Sequence, residues 1–139
     1  MTVDPAVPRK LGLREGMRTL LVNAPIDYVE GIVALVEQGT VEATDGEGTF
    51  EAESFDLVQV FCTDRAELER FGETAIVAVR RGGRLWVCYP KGGSGVATDL
   101  GRDVRWGPLA DAGWRPVTQV AIDPVWSALR FRPEAEVGR

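Results

Sequence analysis

A lysine and a serine lie within a glycine-rich stretch, and these residue types together are suited to holding an anion. Lys91 follows directly after an apolar run at residues 84–90, and Ser94 lies a little further on. Backbone N–H groups at the start of a helix point into such a loop and bind anions. Thr98 and Asp99 are residue types that begin helices, so we expect a helix to start there. The candidate ligand-binding residues of this loop are Tyr89, Lys91, Gly92, Gly93, Ser94 and Gly95.

The order of residues in this loop differs from that of a familiar phosphate site. In the nucleoside-triphosphatase loop the lysine follows the glycines, whereas Lys91 precedes them, which argues against that activity. Thr98 and Asp99 are interpreted as helix caps, because an aspartate at a helix start repels an anion placed on it. The anion would therefore be held by the loop itself.

The chain contains no histidine, which narrows the chemistry open to it. Histidine is the commonest general base, so Ser–His and Cys–His catalysis are excluded. Cys62 and Cys88 lie within apolar runs, and we expect them to be buried free thiols. Acid–base chemistry falls to Asp, Glu, Lys, Tyr or Cys, and the sequence identifies neither a catalytic group nor a metal site.

Apolar runs alternate with helix-like spacings along the chain. Residues 26–37 have apolar side chains at helical spacing, and Asp64 caps a second helix with Glu67 as its partner. Such alternation predicts a parallel sheet with helices on both faces. The predicted strands are 17–25, 40–44, 55–62, 84–90, 114–123 and 125–133.

The last two strands are joined by a short turn at Asp123-Pro124, so they should be antiparallel neighbours. The prediction is an α/β fold: a three-layer Rossmann-like sheet, mostly parallel, with a C-terminal antiparallel β-hairpin at its edge.

Three further segments are interpreted as a hairpin or ragged strand (49–53), a turn (Gly82-Gly83) and a short helix (108–112).

Length and composition predict one domain, since the chain has 139 residues and 45% of them are hydrophobic. Residues 1–10 and 133–139 read as flexible tails around a single domain at 11–132. The net charge of −5 argues against a nucleic-acid partner. No segment resembles a signal peptide or a membrane span, so we expect a cytoplasmic protein with no membrane partner.

Polar residues follow the strands at the edge where a doubly wound sheet binds its ligands. Such ligands lie beyond the carboxyl ends of the strands, where the strand order reverses. The predicted strands place Asn23, Thr63, Asp64, Tyr89 and Lys91 at that edge. These residues are therefore the candidate ligand contacts, with the glycine loop beside them.

The turn after the first strand is 22–27 (VNAPID), and Asp45 follows the second strand. In its order of elements the chain resembles class I methyltransferases, a Rossmann-like family, over about residues 11–132. The resemblance implies S-adenosylmethionine held by a glycine-rich turn after the first strand and by an acidic residue after the second. Asp45 matches the acidic position, but the turn has no glycine and Pro25 removes a backbone donor.

Longer motifs lie near the start, in the centre and near the end of the chain. They comprise Leu11, Gly12 and 16–18, then 85–100, then Asp123 and 126–131. With these motifs the chain resembles an uncharacterised family of small bacterial proteins, a domain-of-unknown-function group. That resemblance supports the fold and implies no activity.

These observations favour a domain without catalysis or cofactor that binds a small anionic ligand or a partner protein through the 89–99 loop. The alternative is a divergent S-adenosylmethionine-dependent methyltransferase that uses Asp45 for the cofactor ribose. A third is a structural or regulatory oligomer subunit, because the open edges of such a sheet allow a homodimer.

Overall fold

A computed structural model of the chain describes residues 3–46, 51–101 and 106–136. Its strands are β1 (Arg18–Val22), β2 (Thr40–Thr44), β3 (Phe55–Phe61), β4 (Val79–Pro90), β5 (Trp114–Ala121) and β6 (Trp126–Pro133). Its helices are α1 (Val7–Leu11), α2 (Ile26–Leu35), α3 (Arg65–Ala78) and α4 (Gly107–Asp111), followed by a 3-10 helix at Glu134–Glu136.

The strands form one six-stranded sheet in the order β2-β1-β3-β4-β6-β5. β1 pairs in parallel with β2 and β3, and β3 pairs in parallel with β4. β6 runs antiparallel to both β4 and β5. The predicted fold class, a mostly parallel sheet with a C-terminal antiparallel hairpin at its edge, is therefore confirmed. The Asp123 carboxylate closes the hairpin by accepting from Val125 N at 2.8 Å and Trp126 N at 2.7 Å.

Helices cover both faces of the sheet, which explains why its central strands bury apolar side chains on both faces. On one face, Leu68 and Phe71 of α3 and Leu109 of α4 pack into the core. On the other face, Leu11 of α1 and Ile32 of α2 do the same. Each such fully buried side chain stabilises the fold by about 1.5–3 kcal/mol.

The N-terminal segment differs from the tail predicted over residues 1–10. Val3 and Val7 are buried, and α1 ends at Gly12 in a left-handed cap with φ 77°. The indole Nε1 of Trp86 donates a 3.0 Å hydrogen bond to Leu11 O, which fastens α1 to the sheet. Sparse apolar residues were enough here because the sheet face offers them a surface on which to pack. At the other end, Pro133 still belongs to β6, and residues 137–139 lie outside the described ranges.

Gly82-Gly83 does not form the predicted turn between α3 and a later strand. β4 already begins at Val79, and residues 80–83 bulge from it, since Val79 pairs with Phe55 and Arg84 pairs with Leu57. Gly83 is tightly placed, because a Cβ there would lie 3.0 Å from Asp56 O. The glycines therefore shape a bulge within the strand.

Two other predicted elements are not found. Residues 98–101 are not helical, so the helix predicted to start at Thr98 and Asp99 is wrong for those residues, and 102–105 lie outside the described ranges. Of the segment at 49–53, residues 51–53 form no strand and 49–50 lie outside those ranges. The predicted short helix at 108–112 is confirmed as α4.

Candidate functional site

The strand order reverses between β1 and β3. From β1 the chain passes through α2 to β2 on one side, and from β3 it passes through α3 to β4 on the other. α2 and α3 lie on opposite faces of the sheet, so a crevice opens beyond the carboxyl ends of β1 and β3. The predicted residues Asn23, Thr63 and Asp64 all lie at this point.

A carboxylate that was predicted only as a capping partner joins these residues. Glu67 accepts from Thr63 N at 2.7 Å and from Thr63 Oγ1 at 2.6 Å through its Oε1. Its Oε2 accepts from Asn23 Nδ2 at 3.2 Å, and the same amide donates to Phe61 O at 2.9 Å. Glu67 thereby links the turn after β1 to the turn after β3.

The environment of Glu67 keeps its carboxylate ionised. Burial alone would raise its pKa, but the hydrogen bonds from Thr63 and Asn23, with the charge of Arg70, outweigh burial and lower the pKa. A carboxylate of this kind is a weak base. Its contribution at the site is to orient the two turns.

Asp64 and Asp99 both lie at the N-terminus of α3. Asp64 is the N-cap and accepts from Glu67 N at 2.9 Å, as predicted. Asp99 accepts from Arg65 N at 2.8 Å, so it caps α3 rather than a helix of its own. Two aspartates on one helix N-terminus disfavour an anion there, because they already neutralise the helix dipole.

The glycine loop is anchored to the C-terminal hairpin. Lys91 N donates to Val125 O at 2.7 Å, and Ser94 N donates back to Lys91 O at 3.1 Å. Tyr89 is buried, and its hydroxyl accepts from Gln119 Nε2 at 2.9 Å. A Cβ added at Gly92, Gly93 or Gly95 would meet no atom within 4 Å. The Tyr89 hydroxyl and the Lys91 backbone are therefore tied to the hairpin, whereas Ser94 bonds back to Lys91. Over residues 92–101, the described stretch after the loop, no helix begins, so the helix N-terminus that motivated an anion site is absent there.

A cleft of about 480 Å³ opens beyond β1 and β2, beside the crevice. That volume lies within the range of small-molecule sites, about 300–1,000 Å³. Asp45 lines the cleft directly after β2, where the resemblance to methyltransferases placed it. Ile26 contributes an apolar side chain that is 68% exposed. The lining residues are Asn23, Ala24, Ile26, Val29, Ala43, Thr44 and Asp45.

The segment around Asp45 is held by its neighbours. Gly46 N donates to Thr44 Oγ1 at 3.1 Å, and Gly46 has a positive φ of 91°. A Cβ on Gly46 would lie 2.3 Å from Cδ1 of Phe71 in α3. Asp45 therefore lies on a segment that packs against the core helix.

The turn after β1 achieves its backbone path without glycine. Asn23 has φ 58°, in the left-handed region that asparagine tolerates better than most residues. Its N–H donates to Thr44 O at 2.8 Å, which extends the pairing of β1 and β2. The absence of glycine from this turn is evident in the sequence, but the role of Asn23 as its substitute was not predicted. A polar Asn at a strand end, two residues before Pro25, was the available signal.

No family model matches the chain, and no curated protein matches it. Among solved structures, it is similar to an S-adenosylmethionine-dependent methyltransferase from Aquifex aeolicus, with a TM-score of 0.65 and 19% identity over 93% of this chain and 89% of that one. It is similar to the ribosomal protein L11 methylase of Lactobacillus delbrueckii subsp. bulgaricus, with a TM-score of 0.55 and 10% identity over 94% of this chain and 76% of that one. It is also similar to DhpI in a complex with S-adenosylhomocysteine, with a TM-score of 0.55 and 14% identity over 93% of this chain and 82% of that one.

These similarities establish the fold. The chain has the Rossmann-like fold of S-adenosylmethionine-dependent methyltransferases, and the resemblance to the uncharacterised bacterial family stays a prediction. Within the described ranges, no helix has the length and apolar character that crossing a membrane requires. In the same residues, no cluster of three or more His, Cys, Asp or Glu side chains is arranged to hold a metal ion.

Proposed function

We propose that the chain is a divergent S-adenosylmethionine-dependent methyltransferase that binds this cofactor in the cleft beyond β1 and β2. The observation that carries the proposal is the position of Asp45, which lines a ligand-sized cleft directly after β2 in a fold shared with such enzymes. The cofactor-free reading, a ligand or partner bound at the 89–99 loop, has less support because Asp99 caps α3.

The lining of the cleft fits the cofactor's chemistry in two respects. The Asp45 carboxylate is an acceptor for the two ribose hydroxyls, and such charge-assisted hydrogen bonds are stronger than neutral ones. Ile26, Val29 and Ala43 offer an apolar wall for the purine ring. Pro25 and the missing glycines reduce what the backbone of the first turn contributes. We therefore expect affinity to depend on Asp45 and the apolar wall more than on the turn.

The bound cofactor would supply an electrophilic methyl group. The chain's own residues then have two tasks, which are to orient the ligand and to fix the two turns that frame it. Asp45 and the apolar wall do the first. Glu67 does the second, since it joins Asn23 to Thr63 at the point where the two halves of the sheet meet.

The experiment is isothermal titration calorimetry with S-adenosylmethionine and S-adenosylhomocysteine. The matched pair of variants is Asp45→Asn in the cleft and Asp111→Asn on α4, which packs on the opposite face of the sheet from α2. Both remove one charge. We expect Asp45→Asn to weaken binding about tenfold, which is the scale of one charged hydrogen bond, and Asp111→Asn to leave it unchanged.

Two outcomes would reject the proposal. One is a dissociation constant weaker than about 1 mM for both compounds, which corresponds to only about −4 kcal/mol. The other is an equal effect of the two variants, which would place the ligand outside the cleft.

A further inference from the structure

A second cavity lies at the opposite end of the sheet, around the start of β4. Its volume is about 580 Å³, larger than that of the cleft beside Asp45. It is bounded by the end of α3, the bulge in β4, the start of β5 and the end of β6. We call it the amino-end cavity. Its lining residues are Ala52, Glu53, Ile76, Val77, Val79, Arg80, Arg81, Gly82, Trp114 and Pro133.

The walls of this cavity are largely apolar and partly open to solvent. Val77 of α3 is 46% exposed, although it is a large hydrophobic side chain. Ile76 and the indole of Trp114 pack at the edge of the core beneath it. An exposed valine beside a half-buried indole forms a surface that an apolar molecule can cover, and aromatic side chains dominate such contacts.

Two arginines of the β4 bulge line the cavity, and they are held differently. Arg80 is engaged, because its Nε donates to Asp56 Oδ1 at 2.5 Å and its Nη1 donates to Arg81 O at 2.8 Å. The guanidinium of Arg81 has no hydrogen bond or ion pair within the described residues. Bulges commonly redirect side chains next to binding sites, and this one brings Arg81 to the cavity.

We propose that the amino-end cavity binds a small amphipathic anion, with its apolar body against Trp114 and Val77 and its acidic group at Arg81. Arg81, which has no side-chain partner among the described residues, offers a planar set of donors to a carboxylate or sulfonate. Glu53 is the one carboxylate of the lining, and it opposes an anion. The site is separate from the proposed cofactor cleft, and its test does not depend on that function.

Because Arg81 and Glu53 carry opposite charges, removing one or the other should change the affinity for an anion in opposite directions. The probe is anilinonaphthalene sulfonate, whose fluorescence rises on apolar surfaces, and its neutral analogue is phenylnaphthylamine. We expect one sulfonate probe per chain. Arg81→Gln should weaken binding of the sulfonate about tenfold, as expected for loss of one charged hydrogen bond. Glu53→Gln should strengthen that binding. The neutral analogue should respond to neither substitution.

Matched controls locate the probe. Arg9→Gln removes a positive charge from the exposed side of α1, on the other face of the sheet, and should leave the affinity unchanged. Asp45→Asn should also leave it unchanged, whereas a rise in affinity would place the probe in the cofactor cleft. Ala52→Trp, at an exposed wall position, should fill the cavity and exclude both probes.

Several results would overturn the proposal. Equal effects of Arg81→Gln and Arg9→Gln would show that only the net charge matters. Equal affinity for the sulfonate and for the neutral analogue would show that the cavity does not recognise an anionic group. Tighter binding of the sulfonate to Arg81→Gln together with weaker binding to Glu53→Gln would contradict the roles given to these two charges.

Discussion

The side-chain amide of Asn23 donates a 3.2 Å hydrogen bond to the carboxylate of Glu67, across the point where the strand order reverses. The two residues belong to different halves of the sheet, since Asn23 directly follows β1 and Glu67 lies in the first turn of α3. Asn23 also holds a left-handed backbone conformation, which its own hydrogen bonds to Thr44 and Phe61 support. One carboxylate therefore sets the geometry of the turn that lines the proposed cofactor cleft.

Replacement of Glu67 by glutamine tests this link. A glutamine has one acceptor oxygen, so it cannot accept from both Thr63 and Asn23, and its amide would face one of these donors. We expect Glu67→Gln to lower the free energy of unfolding by about 1–3 kcal/mol, the penalty for an unsatisfied hydrogen-bonding group. Urea unfolding followed by circular dichroism measures it. Glu69→Gln, on the exposed side of the same helix, is the control, and an equal loss in both variants would contradict the role given to Glu67.

Acid should weaken the fold through two carboxylates. Hydrogen bonds from Arg18 N and from the Arg80 side chain lower the pKa of Asp56, and hydrogen bonds also lower the pKa of Glu67. Because the folded pKa values lie below the unfolded ones, the stability from these groups is complete above the unfolded pKa. It is lost as the pH falls through the folded pKa.

The measurement is the urea midpoint from about pH 6 down to about pH 3, a range that spans the ordinary carboxyl pKa values. We expect the midpoint of the natural chain to fall in the lower half of that range. Asp56→Asn should start lower at neutral pH and fall less steeply, since its contribution is already gone. Parallel curves for the two proteins would show that Asp56 does not contribute to the acid sensitivity.

Local signals in the sequence were reliable where the partner residue lies nearby in the chain. Asp64 was predicted as the N-cap of α3, and it is, because its partner is Glu67 in the same turn. The thiols of Cys62 and Cys88 were predicted to be buried and free from their apolar neighbours alone, and both are. Asp45 follows β2 as expected because strand ends can be read from proline, glycine and aspartate.

Long-range contacts explain the errors. Asp99 was interpreted as the cap of a helix that would follow it, but it caps α3, and its partner Arg65 is 34 residues away. Val3 and Val7 were placed in a tail because their segment has little apolar periodicity, yet the sheet face buries them. The bulge in β4 shifts the register between β3 and β4, and there Arg80 pairs with Asp56, 24 residues away, so no local pattern predicts it.

The buried thiols of Cys62 and Cys88 should be unreactive toward thiol reagents in the folded chain. Burial is the main cause that raises the pKa of both Cys62 and Cys88, and nearby acidic groups add to it. We therefore expect negligible reaction with Ellman's reagent in native buffer and complete reaction in urea. The native rate should follow the rate of opening of the fold, and Glu67→Gln should accelerate it. A rapid native reaction of either thiol would contradict the packing of the two sheet faces.

A methyl group at Gly46 should damage both the fold and the proposed cofactor cleft. Its Cβ would lie 2.3 Å from the Phe71 ring, and the positive φ of 91° is unfavourable for alanine. We expect Gly46→Ala to lower the free energy of unfolding by about 1–3 kcal/mol, as overpacking does. The displaced Asp45 should also weaken S-adenosylhomocysteine binding. Gly92→Ala is the matched control, because a Cβ there meets no atom within 4 Å. If both variants unfold and bind alike, the contact between Gly46 and Phe71 does not position Asp45.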